Sequence, residues 1–210
     1  MSTHKKIINY CKKKKLIYCT SVWDVPSARA IAKIDCDNIK IPSACNNNLE
    51  LLEFLFKKYK KNIHISLGMT TKIEENKILK IIKKYKKPKK NIILYACTSA
   101  YPAKDEDVNL LEIKRLEKKF GNFAQIGFSG HHQGISIDIA AVAIGARWVE
   151  RHFTLDRTMK GTDHSASLEP DGMRKLKRDI DIFKSVYSYK NQEILKSEEF
   201  QRKKLKYKKN

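Results

Sequence analysis

The sequence has no apolar run of the roughly 18 residues that a membrane-spanning helix requires. Its best candidate, Ile137 to Val149, is too short and is interrupted by Asp138 and Arg147. No uninterrupted apolar segment follows Met1 to Lys6, so a signal peptide is not expected and a soluble, cytoplasmic protein without membrane contact is. Cysteine is sparse: Cys11, Cys19, Cys36, Cys45 and Cys97 are odd in number and form no CxxC pair. That argues against a disulfide framework or zinc knuckle and predicts reduced thiols. A GxGxxG loop is also missing, which disfavours an open dinucleotide-binding sheet. Acidic residues are few, 23 Asp+Glu against 44 Lys+Arg, for a formal net charge of +21. Such a charge would suit nucleic acid. Here, however, the basic residues are mostly lysines scattered over Lys12 to Lys15, Lys57 to Lys61, Lys83 to Lys90 and Arg202 to Lys209. No zinc finger, RRM signature or aromatic-basic interleaving accompanies them. A solvated lysine-rich surface is expected, and nucleic acid is not expected as a partner.

What is present is a chain of 210 residues, 41% of them hydrophobic, enough for one α/β domain with a real core. Short β-branched runs at 16–20, 38–42, 62–67, 91–97, 124–128 and 147–153 read as strands. Helical-period segments at 27–34, 49–59, 72–85, 110–120 and 135–144 lie between them. Strands alternating with helices imply βαβ units and a parallel sheet. Every strand ends in polar side chains, as in a barrel whose functional groups come from many strand ends. The expected fold is therefore of (β/α)8 TIM-barrel type. Only six strands are visible, and residues 4–12 read as a helix, so strands three to eight are expected over residues 1–185. A basic tail is expected over 186–210.

The densest chemistry lies in IGFSGHHQG (126–134) and WVERHFTLD (148–156). His131 and His152 sit at the ends of consecutive predicted strands, and neighbouring strands lie about 4.8 Å apart, so the two imidazoles can meet on a metal or a substrate. His132 and His64 are expected to be hydrogen-bonded core histidines. In KGTDHSASLEP (160–170), Asp163 and His164 would suit a hydroxylated substrate, and Glu169-Pro170 opens a helix. The segments KIPS (40–43), ISLGM (65–69) and CTSAYP (97–102) place Lys, Ser and Tyr at further strand ends. One lysine among several hydroxyls can cradle phosphate and carboxylate oxygens.

The motifs KIPSAC (40–45), SLGM (66–69), CTSAYPAKDEDVNL (97–110), IGFSGHHQGI (126–135) and VERHFTLDRTMKGTDHSASLEP (149–170) resemble the sialic acid synthase family, which includes N-acetylneuraminate synthase and its legionaminate- and pseudaminate-type relatives. The resemblance runs from about residue 4 to 180. It implies a (β/α)8 barrel that condenses phosphoenolpyruvate with N-acetylmannosamine or a related amino sugar, giving a nine-carbon 2-keto acid for surface carbohydrate. It implies a divalent metal, Mn or Mg, on His131 and His152, both then catalytic. By the same resemblance Ser21, Lys40, Ser43, Ser66 and Ser129 match phosphoenolpyruvate contacts, and Ser99 stands where some relatives have Asn. Tyr101 and Asp163 match residues at the sugar.

Some family features have no counterpart in these 210 residues. They are the first-strand AEIG-like segment with its catalytic Glu, the Lys/Gln pair of the second strand, and the C-terminal antifreeze-like domain. Cys45 stands where an acidic residue is common. The resemblance also implies a homodimer, or completion by an N-terminal partner chain. The alternative function is a truncated, non-catalytic half-barrel acting as a partner or subunit of a split synthase.

Overall fold

The computed structural model describes residues 2–34 and 36–207. The chain runs α1 (Ser2–Lys13), β1 (Cys19–Ser21), α2 (Val25–Ala32), β2 (Asn38–Ile41), α3 (Leu49–Lys58) and β3 (Asn62–Ser66). It continues through α4 (Lys72–Tyr85), β4 (Ile92–Cys97), α5 (Glu112–Phe120), β5 (Gln125–Gly130), α6 (Ser136–Ala143), β6 (Val149–Arg151), α7 (Pro170–Val186) and α8 (Lys196–Leu205). Local chemistry sets many of these ends. The Thr71 N–H donates to Glu74 Oε2 at 2.8 Å while the Glu74 N–H donates to Thr71 Oγ1 at 3.3 Å, a reciprocal box that starts α4. Asp24 and Ser27 do the same for α2. Asn48 caps α3 through the Leu51 N–H at 3.1 Å.

All neighbouring strands pair in parallel, in the order β1-β2-β3-β4-β5-β6. The sheet curls into an open half-barrel, six consecutive strands of the (β/α)8 type, with the helices outside. Alternation along each strand divides the side chains between two faces. Ile39, Ile41, Ile63, Ile65, Leu94, Ile126 and Phe128 join one hydrophobic cluster with Leu51, Leu55 and Phe56 of α3, Ile78 and Ile82 of α4, and Leu116 and Phe120 of α5. The main apolar core thus lies between sheet and helices, and the concave face carries many of the buried polar groups.

Several of those polar groups satisfy one another. Asn62 Nδ2 donates to Asn38 Oδ1 at 2.9 Å, and His64 Nε2 lies 3.0 Å from the same oxygen. A carbonyl oxygen only accepts, so Nε2 carries the proton and His64 Nδ1 accepts from the Tyr95 hydroxyl at 2.8 Å. Trp148 meets the His64 ring edge-on at 5.2 Å. A Cβ on Gly127 would lie 2.7 Å from the Tyr95 ring and 2.9 Å from Trp148 Cβ, so glycine leaves the room this layer needs.

Burial holds the His64 imidazole down, to a pKa of about 4. Its folded value lies below the unfolded value near 6.5, so its contribution is complete above that pH and is lost as pH falls toward 4. The loss is up to about 3 kcal/mol. Urea unfolding at pH 7 and pH 4.5 should show a steeper decline for the parent than for His64→Gln, and equal slopes would refute this assignment.

Several element boundaries differ from expectation. The first strand begins at Cys19 and not Leu16, because α1 closes on a left-handed Lys15 (φ 56°) with the Leu16 N–H donating to the Cys11 carbonyl at 2.8 Å. The last strand is confined to Val149–Arg151, and Phe153 beyond it bridges to Leu168. The basic tail contains α8, on which no side chain is buried; residues 208–210 of that tail lie outside the described residues. No disulfide joins any of the five cysteines. No helix among the described residues is long and apolar enough to cross a membrane.

Candidate active site at the carboxyl ends of the strands

Parallel pairing brings every strand's carboxyl end to one rim, where a cleft of about 460 Å³ opens. Ser21, Lys40, Ser43, Ser66, Ser99, Tyr101, Ser129, His131, His152 and Asp163 all line it. His64 belongs to the polar layer of the concave face, His132 turns to the outer face, and His164 Nδ1 lies 2.7 Å from Thr154 Oγ1.

One wall is a hydroxyl cradle built around Gly68. Its N–H donates to Ser43 Oγ at 3.1 Å. A Cβ there would lie 2.3 Å from Ser99 Oγ and 2.7 Å from Ser43 Oγ, so the close approach of both hydroxyls requires glycine. Asn46, buried behind this wall, fastens the turn: its Nδ2 donates to the Ser66 carbonyl at 2.9 Å and to Thr70 Oγ1 at 2.7 Å. Among the described residues Ser66 Oγ, at the edge of the cleft, is buried and has no hydrogen-bond partner.

Lys40 enters from β2, with its side chain 15% exposed, and forms an ion pair with Glu150 of β6. Glu150 Oε1 also accepts from Ser129 Oγ at 2.9 Å. Glu150 escaped the sequence reading of the site. The available signal was its place two residues before His152 on one strand, where side chains share a face. Trp23, Met69 and Cys97 also line the cleft unannounced.

The histidine pair stands opposite. Ser129 pairs with Glu150 and Gly130 with Arg151, so continuing the register sets His131 beside His152. Their ring centroids are 5.1 Å apart, and the Tyr101 ring stands 4.3 Å from His131 and 5.5 Å from His152. His131 Nδ1 lies 2.6 Å from the Thr98 carbonyl; a carbonyl only accepts, so Nδ1 carries the proton and the Nε2 lone pair is left bare. His152 Nδ1 lies 3.5 Å from Asp163 Oδ2, at the limit of a hydrogen bond. Burial lowers the pKa of both imidazoles, and for His152 the neighbouring His131 adds to it. Neutral rings are the form that ligates metals, and the Thr98 carbonyl orients that of His131. The donor set thus fits a metal held by two histidines with its other positions open. Among the described residues no group of three or more His, Cys, Asp or Glu side chains converges to hold one. Burial, with the charges of Cys97, Asp163 and Glu150, raises the Tyr101 pKa and keeps its phenol a donor.

Comparison with known proteins gives this arrangement a lineage. The chain is 34% identical over 195 residues to human N-acetylneuraminate-9-phosphate synthase, covering 93% of this chain and 53% of that protein. It is 37% identical over 176 residues to the N,N'-diacetyllegionaminic acid synthase of Campylobacter jejuni, covering 84% of this chain and 52% of the other. It therefore spans about half the length of these relatives. The crystal structure of the N-acetylneuraminic acid synthetase of Leptospira borgpetersenii, in complex with citrate, superposes with a TM-score of 0.81 at 31% identity, covering 96% of this chain and 70% of that one. The NeuB family model matches residues 1–192, and the chain belongs to the NeuB family.

Proposed function

We propose that the cleft binds phosphoenolpyruvate beside an N-acetylated amino-sugar aldehyde, N-acetylmannosamine or a related acceptor, and supports their condensation in a cytoplasmic route to surface carbohydrate. The alkene carbon of phosphoenolpyruvate attacks the aldehyde, water adds at the enol carbon, and phosphate leaves by C–O cleavage to give a nine-carbon 2-keto acid. A divalent metal, Mn or Mg, on His131 and His152 would supply Lewis-acid polarisation of the aldehyde oxygen. The observation that carries this reading is the anion cradle: Lys40, with the unpartnered Ser66 hydroxyl and the Ser43 and Ser99 hydroxyls on Gly68. Lys40 and these hydroxyls bind the phosphate and carboxylate oxygens, and Ser21 and Ser129 extend the cradle at its edges. Glu150 keeps Lys40 and Ser129 turned into the cleft beforehand. An arriving anion then takes over a charge partner and meets no bare, desolvated ammonium. Tyr101 and Asp163 face the sugar.

Phosphoenolpyruvate should bind the chain in calorimetric titration with Mn(II) present. Phosphate and keto acid should form from phosphoenolpyruvate and N-acetylmannosamine once the chain is joined to a relative's AEIG-type first two strands. A completed barrel that turns over no N-acetylated amino sugar would refute the reading.

One observation favours a second reading, a non-catalytic subunit of a split synthase. Among the described residues β1 and β6 each pair on one side in the sheet, and Leu16 and Ile17 before β1 are exposed. Activity regained on mixing the chain with a separate two-strand segment would select that reading, and turnover by the chain alone would exclude it.

A further inference from the structure

Arg151 lies on the face of β6 turned away from the cleft, yet it is bonded to both loops that carry cleft residues. Alternation turns Glu150 and His152 inward, so Arg151 between them points toward α6. Its side chain is 1% exposed, and Asp138 of α6 is fully buried beneath it. Nη1 donates to Asp138 Oδ2 at 2.5 Å and to the Gly134 carbonyl at 2.8 Å, and lies 3.1 Å from His132 Nε2. Nη2 donates to the His132 carbonyl at 2.6 Å and to the Ala166 carbonyl at 3.4 Å. Residues 131–134 follow β5 and carry His131; residues 163–166 carry Asp163. One planar group thus joins both segments to the strand that leads into His152. The His132 ring lies so close over the strand that a Cβ on Gly130 would meet it at 2.8 Å.

Stability alone explains this cluster poorly. A buried ion pair is often matched or bettered by apolar side chains of similar size. Among the described residues, His132 Nδ1, Asp138 Oδ1 and Arg151 Nε are buried without a hydrogen-bond partner, which a purely structural cluster would avoid. What an apolar pair could not provide is three carbonyl anchors in the fixed geometry of a guanidinium fork.

We propose that Arg151 is a positioning residue, which sets the spacing of His131, His152 and Asp163 and the ring orientation of the two histidines by clamping the loops behind them. The proposal rests on the reading of His131 and His152 as the metal-binding pair. It is tested on the full chain with Arg151→Lys, which keeps the charge and loses the fork. The second variant, Arg151→Met with Asp138→Leu, leaves no buried charge unpaired. The readouts are thermal melting, imidazole nitrogen NMR and Mn(II) titration followed by electron paramagnetic resonance. In the parent, His131 should show a single Nδ1-protonated tautomer, fixed by the Thr98 carbonyl. Both variants should stay folded, show mixed His131 tautomers and bind Mn(II) about tenfold or more weakly. A folded variant that keeps the single tautomer and Mn(II) affinity within about twofold would overturn the proposal. If the double variant does not fold, Arg151→Lys decides. A parent that binds no Mn(II) would instead refute the metal reading, while the tautomer comparison still decides whether Arg151 orients His131.

Discussion

Alanine at His131 or at His152 is expected to weaken Mn(II) binding by about a hundredfold or more, with the fold retained. Each imidazole would supply one of only two protein nitrogens, and changing even an outer-shell partner typically costs 10–100-fold. The stability cost should be small by comparison. His131 gives up one hydrogen bond to the Thr98 carbonyl, worth about 1 kcal/mol, and its place borders the cleft, so the space left is open to solvent. Turnover in the completed barrel should fall in parallel with metal affinity. His64→Gln is the control, because that ring bonds to Asn38 and Tyr95 and should leave Mn(II) affinity unchanged. Metal affinity that survives both alanine substitutions would remove the histidine pair from the site.

Lys40→Met is expected to weaken phosphoenolpyruvate binding by about a hundredfold, the size of a charge-assisted hydrogen bond lost in a partly buried site. The single substitution also strips Glu150 of its cation, leaving a carboxylate only 30% exposed and facing the incoming anion. Lys40→Met with Glu150→Gln separates the two effects. It should recover the parent's melting midpoint without recovering affinity, because the ammonium that meets the phosphate is still missing. Calorimetric affinity within about threefold of the parent in the double variant would place phosphate recognition elsewhere.

Much of this was legible in the residues because the information is local. The period-two runs at 38–42 and 62–67 contain β2 and β3, since alternation against a helix layer is a property of the strand itself. Residues 72–85 form α4 at the bounds expected from the sequence, because Thr71 and Glu74 build its start from neighbouring atoms. Residues 16 and 17 were misread for an equally local reason: their apolar character suggested a strand, while the left-handed Lys15 and the Cys11 carbonyl use Leu16 to finish a helix.

Glu150 and Asn46 were illegible because their meaning depends on distant partners. Glu150 pairs with Lys40 across 110 positions, and Asn46 holds carbonyls 20 and 22 residues away. No spacing in the chain announces either contact. Arg151 reads in sequence only as a charged residue between two others, and its burial follows from the side of β6 on which it falls.

By itself the sequence determined the alternation of strands and helices, the polar ends of the strands and the residue types gathered there, because each depends on neighbours a few positions apart. The tertiary structure alone decided that ten such residues share one cleft, that Lys40 is held by Glu150, and that His131 has its Nε2 bare. Those facts depend on the parallel register of six strands, which brings side chains far apart in the chain within reach of one hydrogen bond.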